Sequence, residues 1–276
     1  MAPKVEILAT DPLASLDQEC IIRILYVEEK DDKQLESIRY AKVQPNVFPS
    51  TWLEDPYTDF ELPVFPPGDW RVVDIIRNEV TGEAQVIKPR EDDRMLIGRS
   101  SSNALDAWHP ISVDYLELEK VSQILYTNLL WRRSDTLWLV THEEPFPMPV
   151  LMKIAEFPFP DALTRVENEA TVYRAIQGKG IAPEFLGHVT ENGHIIGSLF
   201  EYIDGECPEK QDLPRCERVL KKFHREGFLH GDSHPMNFVV CCDGTTKLID
   251  FETSRPCTNQ VEFDKEVRNL RLEFEL

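Results

Sequence analysis

Apolar positions along the chain follow two rhythms. Over about the first 110 residues they gather in short β-branched runs: CIIRILYVEE (20–29), SIRYAKVQP (37–45), WRVVDIIRN (70–78) and EAQVIKPRE (83–91). Prolines and polar turns separate these runs, which predicts strands joined by tight or extended connections. The acidic, proline-rich stretch 49–69 reads as an extended surface connection, and RSSSNALDAWHP (99–110) reads as a linker. No internal repeat is visible.

From Asp114 the rhythm changes. YLELEKVSQILYTNLLWRR, DTLWLVTHE and PVLMKIAEF predict three strands. A three- or four-residue step through Leu163, Val166, Ala170, Tyr173 and Ile176 then predicts a helix over 161–177, stopped by Gly178 and Gly180. Two strands follow, EFLGHVTE and HIIGSLFEYI, and a second helix over 212–225 with Leu213, Cys216, Val219, Leu220 and Phe223 on one face. After the loop FLHGDSHPMN comes a hairpin whose arms are NFVVCC and TKLIDFE, turning at Asp243-Gly244. The final segment has room for about one helix, with Val261, Phe263, Val267, Leu270 and Leu272 as its expected buried positions.

Charge narrows the partners. The 276 residues carry a formal net charge of −19, which repels nucleic-acid phosphate and anionic lipid. No nucleic-acid or membrane partner is expected, and no apolar run approaches the roughly 18 residues of a membrane span. The first residues lack the basic and apolar regions of a signal peptide. The six cysteines form no CxxC pair, so we expect reduced thiols, no structural zinc and a cytoplasmic protein.

Three polar residues stand out against this background. Asp232 follows His230 and Gly231 just after a helix. Asn237 lies five residues on, at the start of one hairpin arm, and Asp250 ends the other arm. Adjacent arms bring Asn237 and Asp250 to one place. One carboxylate and one amide oxygen beside phosphates suit Mg²⁺, a hard ion that takes oxygen ligands. Asp232 is left as a separate carboxylate, able to orient an attacking hydroxyl or accept its proton.

HGDSHPMN resembles the HxDxxxxN catalytic loop of the protein kinase-like superfamily, and LIDFE resembles the position of its DFG motif. HGD in place of HRD is similar to small-molecule phosphotransferases of the aminoglycoside and choline type and to atypical RIO-type kinases. The resemblance covers about residues 114 to 255. It implies an α+β, bilobal protein kinase-like fold, with a β-rich N-lobe extended at its N-terminus and a truncated helical C-lobe. The corresponding domains are 1–110, 111–203 and 204–276.

The resemblance further implies ATP and Mg²⁺ as cofactors. Lys153, the only lysine between residues 121 and 177, would contact nucleotide phosphates and pair with Glu169, with Glu167 as the competing choice. LFEYIDG would be the hinge, with Phe200 as gatekeeper and the backbone of Glu201 and Ile203 facing adenine. His234 is a candidate for contact with the transferred group, while His224 and His230 read as structural, His230 bracing the loop from beneath. The acceptor would be a hydroxyl-bearing small molecule or protein.

The pattern also departs from the family. No glycine occurs between Asp114 and Lys153, where a glycine-rich loop is expected; Arg132 and Arg133 stand in that turn. Glu252 replaces the glycine of DFG, which favours a constitutively formed site. The segment after Asp250 is too short for the helical lobe and peptide-docking surface of a conventional protein kinase. The competing readings are a kinase-like binding module without catalysis and other nucleotide chemistry, such as transfer of AMP.

Overall fold

In CIIRILYVEEK every second residue from Cys20 to Tyr26 is buried, so one face of the strand fills a core, while on the other face Ile21 and Leu25 are half-buried and Arg23 is buried. This strand and the others assemble an α+β structure, a computed structural model that describes residues 3–11, 18–30, 32–48, 62–91, 107–123, 137–142, 144–146 and 148–275. The chain divides into two compact units, one of residues 1–103 with 156–160 and one of 104–155 with 161–276.

The first unit is a five-stranded sheet in sequence order: β1 (Lys4–Thr10), β2 (Cys20–Lys30), β3 (Lys33–Val43), β4 (Val72–Arg77) and β5 (Ala84–Arg90). All neighbours are antiparallel except β3 and β4. Its core gathers Ile22, Ile24, Tyr26, Val73, Ile75, Phe65 and Trp70. Arg39 is buried there, its guanidinium 3.6 Å from the centre of the Tyr26 ring and bonded to the carbonyl of Gly68. The strand β1 is an addition to the sequence reading. Of the stretch 49–69, the described part, 62–69, contains no strand, and the rest lies outside the described residues.

The second unit holds a six-stranded mixed sheet in the order β6-β10-β11-β9-β8-β7. Its strands are β6 (Ser112–Asp114), β7 (Glu119–Gln123), β8 (Leu137–Thr141), β9 (Val150–Ile154), β10 (Phe185–Glu191) and β11 (His194–Phe200). Arg132 and Arg133 lie outside the described residues. Helix α1 (Pro160–Ile176) follows β9 and buries Ala170, Val172, Tyr173 and Ile176. Helices α2 (Leu213–Arg225) and α3 (Gln260–Glu273) flank two small sheets, β12 (Gly205–Glu206) with β14 (Phe238–Cys241) and β15 (Thr246–Leu248), and β13 (Phe228–Leu229) with β16 (Arg255–Pro256). One core runs through α1, α2, α3 and the hairpin, with Tyr173, Phe200, Phe223, Phe238 and Phe251 among its members.

Two expectations for α3 are corrected. Phe263, Val267 and Leu270 are buried, but Val261 is 70% and Leu272 60% exposed. Two residues along a helix turn through about 200°, so neither can share a face with its neighbour in the stripe. All six cysteines are free thiols. Among the described residues no helix is long and apolar enough to cross a membrane.

Candidate active site

β9 lies between β11 and β8, with Lys153 opposite Ser198 on one side and Leu137 on the other. Alternation along the strand sends Leu151 and Lys153 to the same face. Leu151 packs against the α1–hairpin core, so Lys153 is delivered toward helix α1. Gly197 permits this close sheet packing, because a Cβ there would stand 2.2 Å from the Lys153 carbonyl.

The Lys153 ammonium meets three carboxylates: Glu169 at 3.0 Å, Asp250 at 2.8 Å and Glu252 at 2.8 Å. Glu169 is the buried acid of α1, whereas Glu167 is exposed. Burial works against the charge of Lys153, but the three carboxylates outweigh it and hold the ammonium well above the ordinary lysine value. Burial, assisted by the charges of Asp250 and Glu252, pushes the Glu169 carboxyl up despite Lys153. Three acids thus face the Lys153 ammonium, with the exposed Arg165 guanidinium 3.7 Å from Glu252 as a second, outer cation, so carboxylates still outnumber cations.

The turn after β15 is held from α1. The Glu169 carboxylate accepts from the Phe251 amide, and the Asn168 amide donates to the carbonyls of Glu252 and Ser254 at 2.8 and 2.7 Å. Asp250 itself is left-handed, at φ 65° and ψ 66°. Such backbone is uncommon outside glycine and clusters at functional sites, where the surrounding bonds over-determine it. The β15 arm ends at Leu248, so Asp250 sits in the turn beyond the arm rather than on it.

The other half of the site is the loop 230–237. His230 is fully buried; its Nε2 donates to the Ile249 carbonyl at 2.9 Å and its Nδ1 accepts from the Asp232 amide. Those two bonds fix one neutral tautomer, and burial depresses the ring's proton affinity in agreement with them. Gly231 has φ +86°, and a Cβ there would lie 2.7 Å from the Thr253 carbonyl, so the loop needs glycine at this point. Asn237 donates from its amide nitrogen to the carbonyl and carboxylate of Asp232, at 2.7 and 3.3 Å. Its backbone carbonyl accepts from the Ile249 amide, which places it beside Asp250. Its side-chain oxygen is left without a hydrogen bond among the described residues.

A residue not anticipated from the sequence secures this loop. Glu266 of α3 is buried and accepts from the amides of Gly231 at 2.7 Å and His230 at 3.2 Å, and pairs with His224 Nε2 at 2.7 Å. Burial alone would raise its carboxyl; the donors overcome that and hold it below the usual glutamate range. Its signal in the sequence was a polar residue on the apolar stripe of Phe263, Val267 and Leu270. Asn168 was missed as well, and Glu252 was noted only in place of the DFG glycine and not as a partner of Lys153, because each acts through a partner distant along the chain.

The remaining predicted residues fall as follows. Phe200 is buried among Tyr173 and Phe185, with ring centres 4.6 and 5.6 Å away. The Glu201 amide donates to Glu184, while the Glu201 carbonyl and the Ile203 amide make no hydrogen bond among the described residues. His234 caps its own loop: Nδ1 accepts from the Met236 amide, and Nε2 lies 3.5 Å from Glu273. Its backbone carbonyl accepts from the Asn237 amide at 2.9 Å, while its ring makes no hydrogen bond to Asp232, Asn237 or Asp250 among the described residues. No known protein family and no curated protein matches the chain.

Proposed function

We propose that the second unit is a protein kinase-like catalytic core that transfers the γ-phosphoryl group of ATP to a hydroxyl of a small molecule or a specific protein. The observation that carries this reading is the convergence of Lys153, Glu169 and Asp250 in one ion cluster, with Asn237 and Asp232 bonded to each other alongside. In this reading the carbonyl of Glu201 and the amide of Ile203 serve adenine, Lys153 serves the phosphates, and Asp232 takes the acceptor. The acceptor oxygen bonds to the γ-phosphorus, the bond to the bridging oxygen breaks, ADP leaves, and the hydroxyl proton passes to the Asp232 carboxylate.

The donor set fits Mg²⁺. Among the described residues no three His, Cys, Asp or Glu side chains are grouped to hold a metal by themselves. The unbonded amide oxygen of Asn237 and the Asp250 carboxylate, on residues whose backbones adjoin through the Ile249–Asn237 bond, would instead supply a partial oxygen site that phosphates complete. Two positive charges would offset the excess of carboxylates around Lys153. The ion would neutralise charge on the transferring phosphoryl group. Holding the partners in place and stabilising charge are the contributions expected of these side chains.

ATP with Mg²⁺ at a hundredfold excess over its dissociation constant is expected to stabilise the folded chain by about 2.7 kcal/mol. At roughly 2–4 °C per kcal/mol for a unit of this size, that is a shift of about 5–10 °C. Asp250→Asn is expected to lose the Mg²⁺-dependent part of the shift and the turnover of ATP while remaining folded. Full turnover in that variant would overturn the assignment.

A second reading, a kinase-like binding module without catalysis, is favoured by one contact. Glu252 reaches the Lys153 ammonium as closely as Asp250 does and takes up a donor that phosphate would need. If the site is catalytic, Glu252→Gln relieves that competition and tightens ATP binding roughly tenfold, the factor that about 1.4 kcal/mol gives. Titration calorimetry of the native chain and this variant separates the readings: a module that does not use Lys153 for phosphate shows no gain.

A further inference from the structure

Helix α2 reverses the sign of the protein. Its thirteen residues hold five cations (Arg215, Arg218, Lys221, Lys222 and Arg225) against the single acid Glu217, in a chain whose net charge is −19. Two of these cations, Lys221 and Arg225, lie one turn apart on the wall of a groove between α2 and α3. Arg268 and Arg271 of α3 line the same groove, which encloses about 550 Å³. Lys221 and Arg271 share the carboxylate of Glu217, at 2.7 and 2.5 Å. Arg225 and Arg268 form no ion pair among the described residues. Asp264 is the one acid along the lining. The floor is apolar, formed by Phe263 stacked on the His224 ring at 4.4 Å and by Val267.

We infer that this groove is a docking site for an acidic segment of a partner protein, with an apolar side chain seated on Phe263 and Val267 and carboxylates facing Arg225 and Arg268. Charge complementarity selects the occupant. Duplex nucleic acid or an anionic bilayer would extend past the groove and meet the field of a strongly acidic chain. A short acidic segment ends where the cations end. Arginine's flat, weakly hydrated fork suits carboxylates at such an interface.

The test is fluorescence anisotropy of a fluorescein-labelled peptide in which glutamates flank a central pair of leucines, titrated with the full chain at low salt. Saturable binding is expected, weakening as salt screens the contacts and falling at least roughly tenfold, as for loss of a close charge pair, in an Arg225→Glu, Arg268→Glu double variant. Neither arginine holds an ion pair, so the variant should keep the native melting temperature, which is measured alongside. A lysine-for-glutamate peptide should not bind. Absence of binding, or binding that the folded double variant retains, overturns the proposal. So does duplex DNA or phosphatidylserine vesicles displacing the peptide at equal charge. Self-association of the native chain that the double variant abolishes, without peptide binding, would assign the groove to a second copy and equally overturn it.

Discussion

Replacing Lys153 by methionine is expected to cost about 3 kcal/mol of stability and to abolish nucleotide binding. Removing one partner of a buried ion pair leaves the other charge uncompensated, a loss of about 3–5 kcal/mol in general. The low end applies because Asp250 and Glu252 keep 26% and 31% of their side-chain exposure, although Glu169 keeps only 6%. The variant should also steepen the gain of stability toward acid that Glu169 already gives the native chain. Without the ammonium, Glu169 loses the group that opposes its upward shift. A carboxyl whose folded-state value lies above its unfolded value stabilises the fold in acid and loses that contribution as pH rises through the folded value. Lys153→Met should therefore gain stability from neutral pH toward about pH 5, where carboxyls approach protonation. Urea unfolding at both values measures this. Adding Glu169→Gln should restore part of the loss, a coupling that a double-mutant cycle isolates; additive effects would mean that the two side chains do not depend on each other.

Glu266→Ala is the second large effect. It leaves the His230 and Gly231 amides and the His224 ring without their acceptor. Each orphaned buried group costs about 1–3 kcal/mol, so a total of roughly 3–5 kcal/mol is expected once partial relaxation is allowed for. Glu266→Gln keeps an acceptor oxygen and should cost about half as much. Because the Glu266 carboxyl is held below its ordinary value of 4.5, its contribution is present above that value and lost as pH falls through the folded one. Acid denaturation of the native chain should be steeper than that of Glu266→Gln. Denaturant midpoints across that interval, with ATP-dependent stabilisation as a second readout, test whether the loop bearing Asp232 depends on α3.

The strands with β-branched runs and the helices with clean apolar steps were legible because burial imposes period on composition. β6 was not, since three residues carry no rhythm, and β1, with KVEILAT, has an alternation too weak to stand out. The error at Val261 and Leu272 arose from counting apolar residues instead of the angle between them. At the site, Lys153, Glu169, Asp232, Asn237 and Asp250 could be named because their spacing is local or ordered along the chain. Asn168 and Glu266 could not, nor could the contact of Glu252 with Lys153, because what distinguishes them from surface residues is the partner each finds after folding. Asn168 reaches 86 residues along the chain to Ser254, for example. For Glu169 the helix period narrowed the choice to two acids, and the depth of the Lys153 face decided between them.

The acceptor that holds the loop stands 36 residues beyond His230 in the chain. Synthesis proceeds from the N-terminus at about 5–20 residues per second, so the loop exists for roughly 2–7 seconds before Glu266 is made. Closing that long connection also carries an entropic cost that adjacent residues do not face. The loop 230–237 is thus among the last parts of the second unit to be fixed on a nascent chain, and during that interval the His230 and Gly231 amides are still bonded to water.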